Sequence, residues 1–321
     1  MPLEALGADR LRCPACRLPS AVYHLRDSIW RFLAPDREAF FQQFIAEYEA
    51  VRRSEGRGCD DPTYYRALPF SDLTGRFCDQ WRIRAKSFRI LVNRVLPRLE
   101  ALPSVSVGAP LVGARPVGAR PVGARSAAAR RLRVLDLGAG NGWLSYRLSM
   151  RGHHVVAVDL LTNTFDGLGA HSHYDAAITP VQAEFDRLPF DHGQADLAIF
   201  NASLHYSAHY ETTLREALRV LSEDGWLVIL DSPVYRDSSS GEQMVREREA
   251  YFEQTYGFPS NSIPSENYLT FERLNQLQVK LGIRWELLEP FYGWRWALKP
   301  WWARLRASRE PARFLLIVGH R

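Results

Sequence analysis

The chain has 321 residues, 46% of them hydrophobic, which is enough for one large or two modest domains with buried cores. No apolar run reaches spanning length, so no transmembrane helix is expected. The first dozen residues carry Glu4, Asp9, Arg10 and Arg12 without an apolar signal core, and a cytoplasmic protein is expected. The net charge of +5 is concentrated in two segments: six arginines and no acid between Val107 and Arg133, and six basic residues against Glu310 between Gly293 and Arg313. The remainder is net acidic. With no clustered aromatic-basic reader, nucleic acid is disfavoured as a partner.

In chain order, residues 1–106 read as a helical N-terminal arm. It opens with Cys13-Pro14-Ala15-Cys16, the turn of a zinc knuckle, but lacks the second cysteine pair that a closed site needs. Cys59 and Cys78 stand apart, so the reading is a partial zinc-ribbon-like arm with reduced thiols and no metal. Phe40, Phe41, Phe44, Ile45, Tyr48 and Val51 recur at helical spacing, and Trp81, Ala85, Phe88, Leu91, Val92 and Val95 repeat the pattern. Both stripes are read as packing faces. The arm is expected to lid a pocket, with Arg76, Trp81 and Arg82 facing it. Residues 107–130 repeat Val-Gly-Ala-Arg-Pro, too poor in apolar mass for a core and too rich in Pro and Gly for ladders. They read as a disordered linker whose deletion should leave activity intact.

Beyond Leu132, strand-like and helix-like segments alternate as βαβ units do, which implies an α/β fold with a mostly parallel sheet. Val134-Leu135-Asp136-Leu137 runs into Gly138-Ala139-Gly140-Asn141-Gly142-Trp143. A strand thus ends in a tight turn whose glycines permit close approach of a ligand. Trp143 stands at the sixth position, where a dinucleotide fingerprint has Gly or Ala, and it disfavours that packing. A second strand, Val155-Val156-Ala157-Val158-Asp159, ends in an acid 23 residues after Asp136.

This motif resembles motif I of class I S-adenosylmethionine (SAM)-dependent methyltransferases. Val181-Gln182-Ala183-Glu184-Phe185 is similar to the family's third motif. Asp196 to Tyr206 resembles the fourth strand and its loop, and Leu214 to Asp231 the next helix, turn and strand. The likeness covers roughly 131–232 in order and is nearest to the branch that methylates small molecules, quinones among them. It implies a Rossmann-like fold with a seven-stranded, mostly parallel sheet, an antiparallel last strand, and a SAM-binding domain over 131–321. The implied cofactor contacts are Asp136, Gly138, Ala139, Gly140, Asn141, Gly142, Asp159, Leu160, Glu184, Phe185 and Asn201. Asp159 stands where the family accepts the ribose hydroxyls, and Glu184, where Asp is commoner, where it meets the adenine amino group.

Residues 233–282 interrupt the alternation with helix-like sequence, an insertion that could shape an acceptor pocket. The closing strands are expected over Arg284–Leu288 and Phe314–Val318. Between them, a loop at 291–313 carries Tyr292, Trp294, Trp296, Trp301 and Trp302 among arginines. It reads as an aromatic cover, a lid over an apolar acceptor, or a peripheral membrane contact through 293–310.

The chemistry expected is in-line displacement at a sulfonium methyl, transferring it to a small acceptor, apolar ones included. A base is needed only if the acceptor must lose a proton. His205 is the first candidate, because histidine titrates near neutrality; loop orientation without proton transfer is the competing reading. Tyr206 and Tyr235 come next. His171 and His173 read as loop histidines. Asn201-Ala202-Ser203-Leu204 lacks the prolines of base-amino methyltransferases, which disfavours DNA N-methylation. A SAM-binding protein without transfer activity, and an NAD-dependent oxidoreductase, are the alternatives. Isotope transfer from labelled SAM into a cell extract separates transfer from binding alone, and thermal shifts with SAM, S-adenosylhomocysteine and NAD set the oxidoreductase apart.

Overall fold

A computed structural model describes residues 4–12, 22–103, 130–297 and 309–321. The Cys13–Cys16 turn, residues 107–129 of the linker and residues 298–308 of the Trp/Arg-rich loop lie outside them. The strands are β1 (Glu4–Ala5), β2 (Arg10–Arg12), β3 (Val22–Arg26), β4 (Ile29–Arg31), β5 (Arg133–Leu137), β6 (His154–Asp159), β7 (Ile178–Gln182), β8 (Ala195–Asn201), β9 (Leu221–Leu230), β10 (Pro233–Tyr235), β11 (Leu269–Thr270), β12 (Arg284–Leu288), β13 (Arg313–Phe314) and β14 (Leu316–His320). The helices are α1 (Pro35–Ser54), α2 (Pro62–Ala67), α3 (Cys78–Ile90), α4 (Leu96–Glu100), α5 (Trp143–Ser149), α6 (Tyr210–Val220), α7 (Ser238–Tyr256), α8 (Phe271–Leu281) and the short α9 (Trp294–Ala297).

One sheet runs through the molecule in the order β1-β2-β3-β4-β7-β6-β5-β8-β9-β14-β12. Its seven-stranded centre, from β7 to β12, is parallel from β7 through β9, and β14 is antiparallel to both of its neighbours. This is the Rossmann-like arrangement expected. The parallel strands are buried nearly end to end, as strands covered on both faces must be.

The first hundred residues depart from a purely helical arm. They are helical between Pro35 and Glu100, but residues before Pro35 form β1–β4. The β4 strand pairs in parallel with β7 through Trp30↔Val181 and Arg31↔Gln182. That pairing covers an edge that would otherwise present a row of free backbone groups. Strands of two to five residues carry too short a pattern to be read from alternation.

Nor is the arm a detached lid. Trp81, Phe88, Leu91, Val92 and Val95 pack in one cluster with Val134, Trp143, Leu144 and Leu197 of the sheet layer. Trp143 is met edge-on by Trp81 (6.1 Å) and Phe88 (5.9 Å). Burying each such side chain contributes roughly 2–3 kcal/mol, which fastens α3 to the start of α5. The α3 stripe is therefore a packing face. The opposite face of the sheet is covered by α6 and α8 through Leu214, Ala217, Leu274 and Leu277. No helix among the described residues is long and apolar enough to cross a membrane.

At the amino end of β8, Asp196 is buried and accepts from Arg130 (2.5 Å), from the Arg133 backbone (2.8 Å) and from the Arg133 guanidinium (2.8 Å). Burial pushes its carboxyl up, but the hydrogen bonds and charge of Arg133, with the charge of Arg130, outweigh burial and hold it below the ordinary value. Its contribution to stability is present at neutral pH and is lost as pH falls through that lowered value. Asp196→Ala leaves two arginines unpaired and is expected to cost about 3–5 kcal/mol in urea unfolding at pH 7. A change below about 1 kcal/mol would refute the network's role.

Candidate functional site

The carboxyl ends of β5, β6, β7 and β8 open on one cavity, where an open α/β sheet binds its ligands. It encloses about 1220 Å³ of empty space, part of it open to solvent. Its floor includes Gly138, Ala139, Gly140, Asn141, Asp159, Leu160, Glu184, Phe185 and Asn201; its roof is α1, with Phe40, Phe41, Phe44 and Tyr48. The α1 stripe thus walls a cavity instead of packing into a core. Helical periodicity cannot distinguish the two, because both call for one apolar face.

The turn after β5 is pinned by its own backbone. Gly138 and Ala139 donate their N–H groups to the Val158 carbonyl (2.8 and 3.0 Å), and Gly140 donates to the Asp159 carboxylate (2.8 Å). Leu161 donates to the other Asp159 oxygen (2.8 Å). The glycines have different reasons for being there. At Gly138 (φ +76°), a Cβ would lie 2.3 Å from Cβ of Ser203, whose hydroxyl donates to the Leu137 carbonyl (2.5 Å). The close approach at that position comes from the protein itself. At Gly140 (φ +55°) the nearest atom is the Asp166 carbonyl oxygen at 3.6 Å, so this glycine leaves its open side to the cavity. Gly142 (φ +75°) is the N-cap of α5 and does not line the cavity.

Asp159 is nine-tenths buried, and burial pushes its carboxyl up to about 6 against the hydrogen bonds from Leu161 and Gly140. Each oxygen keeps lone pairs for a further donor. Glu184 is held by α1: Arg37 reaches both oxygens through Nε (3.0 Å each) and Oε2 through Nη2 (2.6 Å). Phe185 lines the cavity and leans edge-on against Phe200 (5.5 Å). Asn201 keeps a buried Oδ1 without a hydrogen-bond partner among the described residues. Ala202 and Asp231, just past β8 and β9, adopt left-handed φ of +53° and +52°. Such non-glycine conformations concentrate where structure serves a site.

Other residues named from the sequence sit elsewhere. Asp136 is fully buried under the turn and accepts from Ser145 (2.7 Å); it reaches no cavity surface. Tyr235 is buried in a side sheet of β11, β10 and β13, edge-on to Tyr268 (5.7 Å). His205 does not line the cavity. The residue is partly buried, its Nδ1 is buried without a partner among the described residues, and burial, reinforced by Arg248, Arg52 and Arg84, pushes its pKa down to about 3. That is a poor base at neutral pH, so geometry and basicity both speak against proton abstraction by His205. Tyr206 does line the cavity, near Phe44 (6.0 Å) and Tyr48 (5.9 Å). Behind this aromatic wall, a second chamber opens between α1 and α7, lined by Phe252, Phe258 and Arg248.

Of the arm residues expected to face the pocket, none does. Trp81 is buried on Trp143, Arg82 pairs with Asp79 (2.6 Å) in solvent, and Arg76 donates to the Gly56 carbonyl (2.7 Å). Arg37, Arg52, Arg57 and Arg84 line it instead. No sequence signal separates these four from the chain's other arginines, because their side of the helix is set by packing. His173 stacks on Tyr65 (4.3 Å), and among the described residues no group of three or more potential ligands is placed to hold a metal.

Residues 135–229 match the family described as "Methyltransferase domain". A 99-residue stretch is 33% identical to demethylmenaquinone methyltransferase of Clavibacter sepedonicus, covering 31% of this chain and 40% of that protein. A 94-residue stretch is 32% identical to malonyl-[acyl-carrier protein] O-methyltransferase of Erwinia pyrifoliae, covering 29% and 35%. The match spans less than half the length of either curated relative. Among solved structures, an S-adenosylmethionine dependent methyltransferase from Mesorhizobium loti overlaps 60% of this chain and 91% of that one, at 19% identity and a TM-score of 0.43. Residues 135–229 thus resemble a methyltransferase domain.

Buried Asp136 gives the site a pH signature. Burial pushes its carboxyl up to about 7; the Ser145 hydrogen bond opposes this and the Asp159 charge adds to it. The folded value exceeds the unfolded one of about 3.9. Its stability contribution is thus full below about pH 4 and is lost as pH rises through about 7, at up to about 1.4 kcal/mol per pH unit. Asp136→Asn is expected to flatten that part of the stability curve of the ligand-free protein. An unchanged slope between pH 4 and 7 in urea titrations would contradict the assignment.

Proposed function

We propose that the protein transfers a methyl group from SAM to a small acceptor, apolar ones included, by in-line displacement, and that it works in the cytoplasm. The observation that carries this reading is the convergence of Gly140, Asp159, the Glu184–Phe185 pair and Asn201 on one roofed cavity at the carboxyl edge of the sheet. The residues fit the donor on their own chemistry. Asp159 has spare acceptor capacity for the two ribose hydroxyls, Gly140 leaves room above the turn, Phe185 offers a ring face for a base, and the buried Asn201 Oδ1 awaits a donor such as an ammonium. Glu184 can accept from an exocyclic amine while Arg37 fixes its orientation, since an ionised carboxylate has about four acceptor positions. When bound, SAM supplies a methyl carbon on a cationic sulfur that departs as a neutral thioether.

The chain's own task is to align acceptor and donor and to exclude water. The α1 roof and the Phe44–Tyr48–Tyr206 wall do the second. The wall also gives an apolar acceptor a surface, and the chamber behind it offers depth. His205 is assigned to holding its loop, through its carbonyl and the Asn267 N–H (3.1 Å), and Tyr235 to packing the side sheet. The reaction then draws its nucleophile from an acceptor that needs no strong protein base. The relatives named demethylmenaquinone methyltransferase and malonyl-[acyl-carrier protein] O-methyltransferase support a small or carrier-borne acceptor.

Radiolabel transfer from methyl-labelled SAM into a cell extract tests turnover; no labelled product with folded protein would overturn it. Asp159→Ala should weaken SAM binding by about 1–3 kcal/mol, roughly five- to 150-fold in Kd. Because the ionised carboxylate accepts the hydroxyls, wild-type affinity should fall as pH drops through about 6, and the Asp159→Ala variant should lose that dependence. Calorimetry across pH 5–8 reads both effects.

Peripheral membrane contact has one observation in its favour: Phe291 and Trp294 are 61% and 76% exposed and pack edge-on against each other (5.4 Å). Co-sedimentation with anionic liposomes should fall on Phe291→Ser/Trp294→Ser substitution, and equal sedimentation would remove the reading.

A further inference from the structure

Besides Arg37, which is spent on Glu184, three guanidinium groups from the arm line the cavity: Arg52 on α1, Arg57 after it and Arg84 on α3. Two are already engaged. Arg52 pairs with Asp166 (Nε, 3.3 Å) and Glu55 (Nη1, 3.3 Å) and donates to the Tyr48 hydroxyl. Arg57 pairs with Glu55 (2.8 Å), donates to Gln80 (2.6 Å) and lies over Phe77 (3.9 Å).

Arg84 differs from both. Among the described residues it makes no hydrogen bond and no ion pair; its guanidinium lies 4.8 Å from the Trp81 ring centroid. Enclosure in protein disfavours its charge, Arg57 and Arg52 add to that cost, and Asp231 and Asp166 offset part of it from a distance. An arginine does not shed its proton to relieve such a cost. A planar cation held in a cavity with its donors unspent is matched by a carboxylate, which can take two parallel N–H···O bonds. The neighbourhood is short of partners too. Asp231 Oδ2, Ser232 Oγ and Trp81 Nε1 are buried without hydrogen-bond partners among the described residues.

We propose that Arg84 is the anion seat of this cavity and takes a carboxylate in a two-point pair, with Arg57 and Arg52 supplying flanking charge. This rests on the methyltransferase reading and deepens it. The carboxylate has two sources: the amino-acid tail of the donor, or an acid group on the acceptor. In either case the pair orients its owner against the turn after β5, a task that a compact point charge on a flexible stem performs less well than a rigid planar fork.

Calorimetry distinguishes the sources with wild type, Arg84→Gln and Arg84→Lys, after melting curves confirm that each is folded. The probes are S-adenosylhomocysteine, methylthioadenosine (the same nucleoside without the amino-acid tail) and succinate. If the donor's tail is seated there, Arg84→Gln weakens S-adenosylhomocysteine at least tenfold and leaves methylthioadenosine unchanged, with Arg84→Lys between. If the acceptor's acid is seated there, both nucleosides bind all three proteins equally, and succinate gives heat with the nucleoside-saturated wild type that Arg84→Gln abolishes. The proposal is overturned if Arg84→Gln matches wild type for every probe. A variant that fails to fold leaves Arg84→Lys to decide, since it keeps charge and loses the fork. Wild type that binds neither nucleoside refutes the methyltransferase reading instead; the succinate arm then decides the anion seat alone, and an absence of heat sinks it as well.

Discussion

The structure hangs on a small set of backbone hydrogen bonds between the ends of β5 and β6. Val158 offers one carbonyl to two consecutive N–H groups, of Gly138 and Ala139, while the Asp159 carboxylate takes Gly140 on one side and Leu161 on the other. Each bond contributes only about 1 kcal/mol net, more where the acceptor is charged. Together they make the two strand ends a single object. The open side of Gly140 and the spare lone pairs of Asp159 therefore face the same space at a fixed distance. A cavity built on strand ends is only as defined as their relative placement, and here that placement is set by hydrogen bonds between the two ends.

The arm completes what the strand ends begin. Trp143, directly after the glycine turn, is gripped edge-on by Trp81 and Phe88. The helix that carries these two side chains also carries Arg84, so packing that stabilises the fold aims a charge into the site. Helix α1 contributes the aromatic roof and Arg37, whose grip on Glu184 ties the third strand end to that roof. Core, roof and charge are thus not separate modules. A substitution in the arm's packing face should be felt in the cavity as well as in stability.

Burial sets the electrostatics of the pocket and of the layer beneath it. Burial raises the carboxyls of Asp136, Asp159, Asp166 and Asp231 and lowers the basicity of His205 and Arg84, all in the direction that disfavours isolated charge. Such surroundings disfavour any charge that arrives without a partner.

Much was legible in the residues alone, and the reason is locality. A buried parallel strand, a glycine turn and an acid at a strand end are each written within a few consecutive positions, so the α/β core, the turn at Gly138–Gly142 and Asp159 could be placed from order and spacing, and Glu184 from the resemblance of Val181–Phe185 to a family motif. What the tertiary structure decided depended on partners far apart in the chain. Only folding shows that Gly138 yields to Ser203 while Gly140 yields to the cavity, that one apolar stripe packs and the other walls a chamber, and that the short strands before Pro35 extend the sheet. The same holds for His205, whose imidazole the sequence presents as a titratable base and the surrounding protein renders neutral. Periodicity says that a side chain has an inward face; what fills the space in front of it is settled by elements a hundred residues away, and no local pattern encodes that.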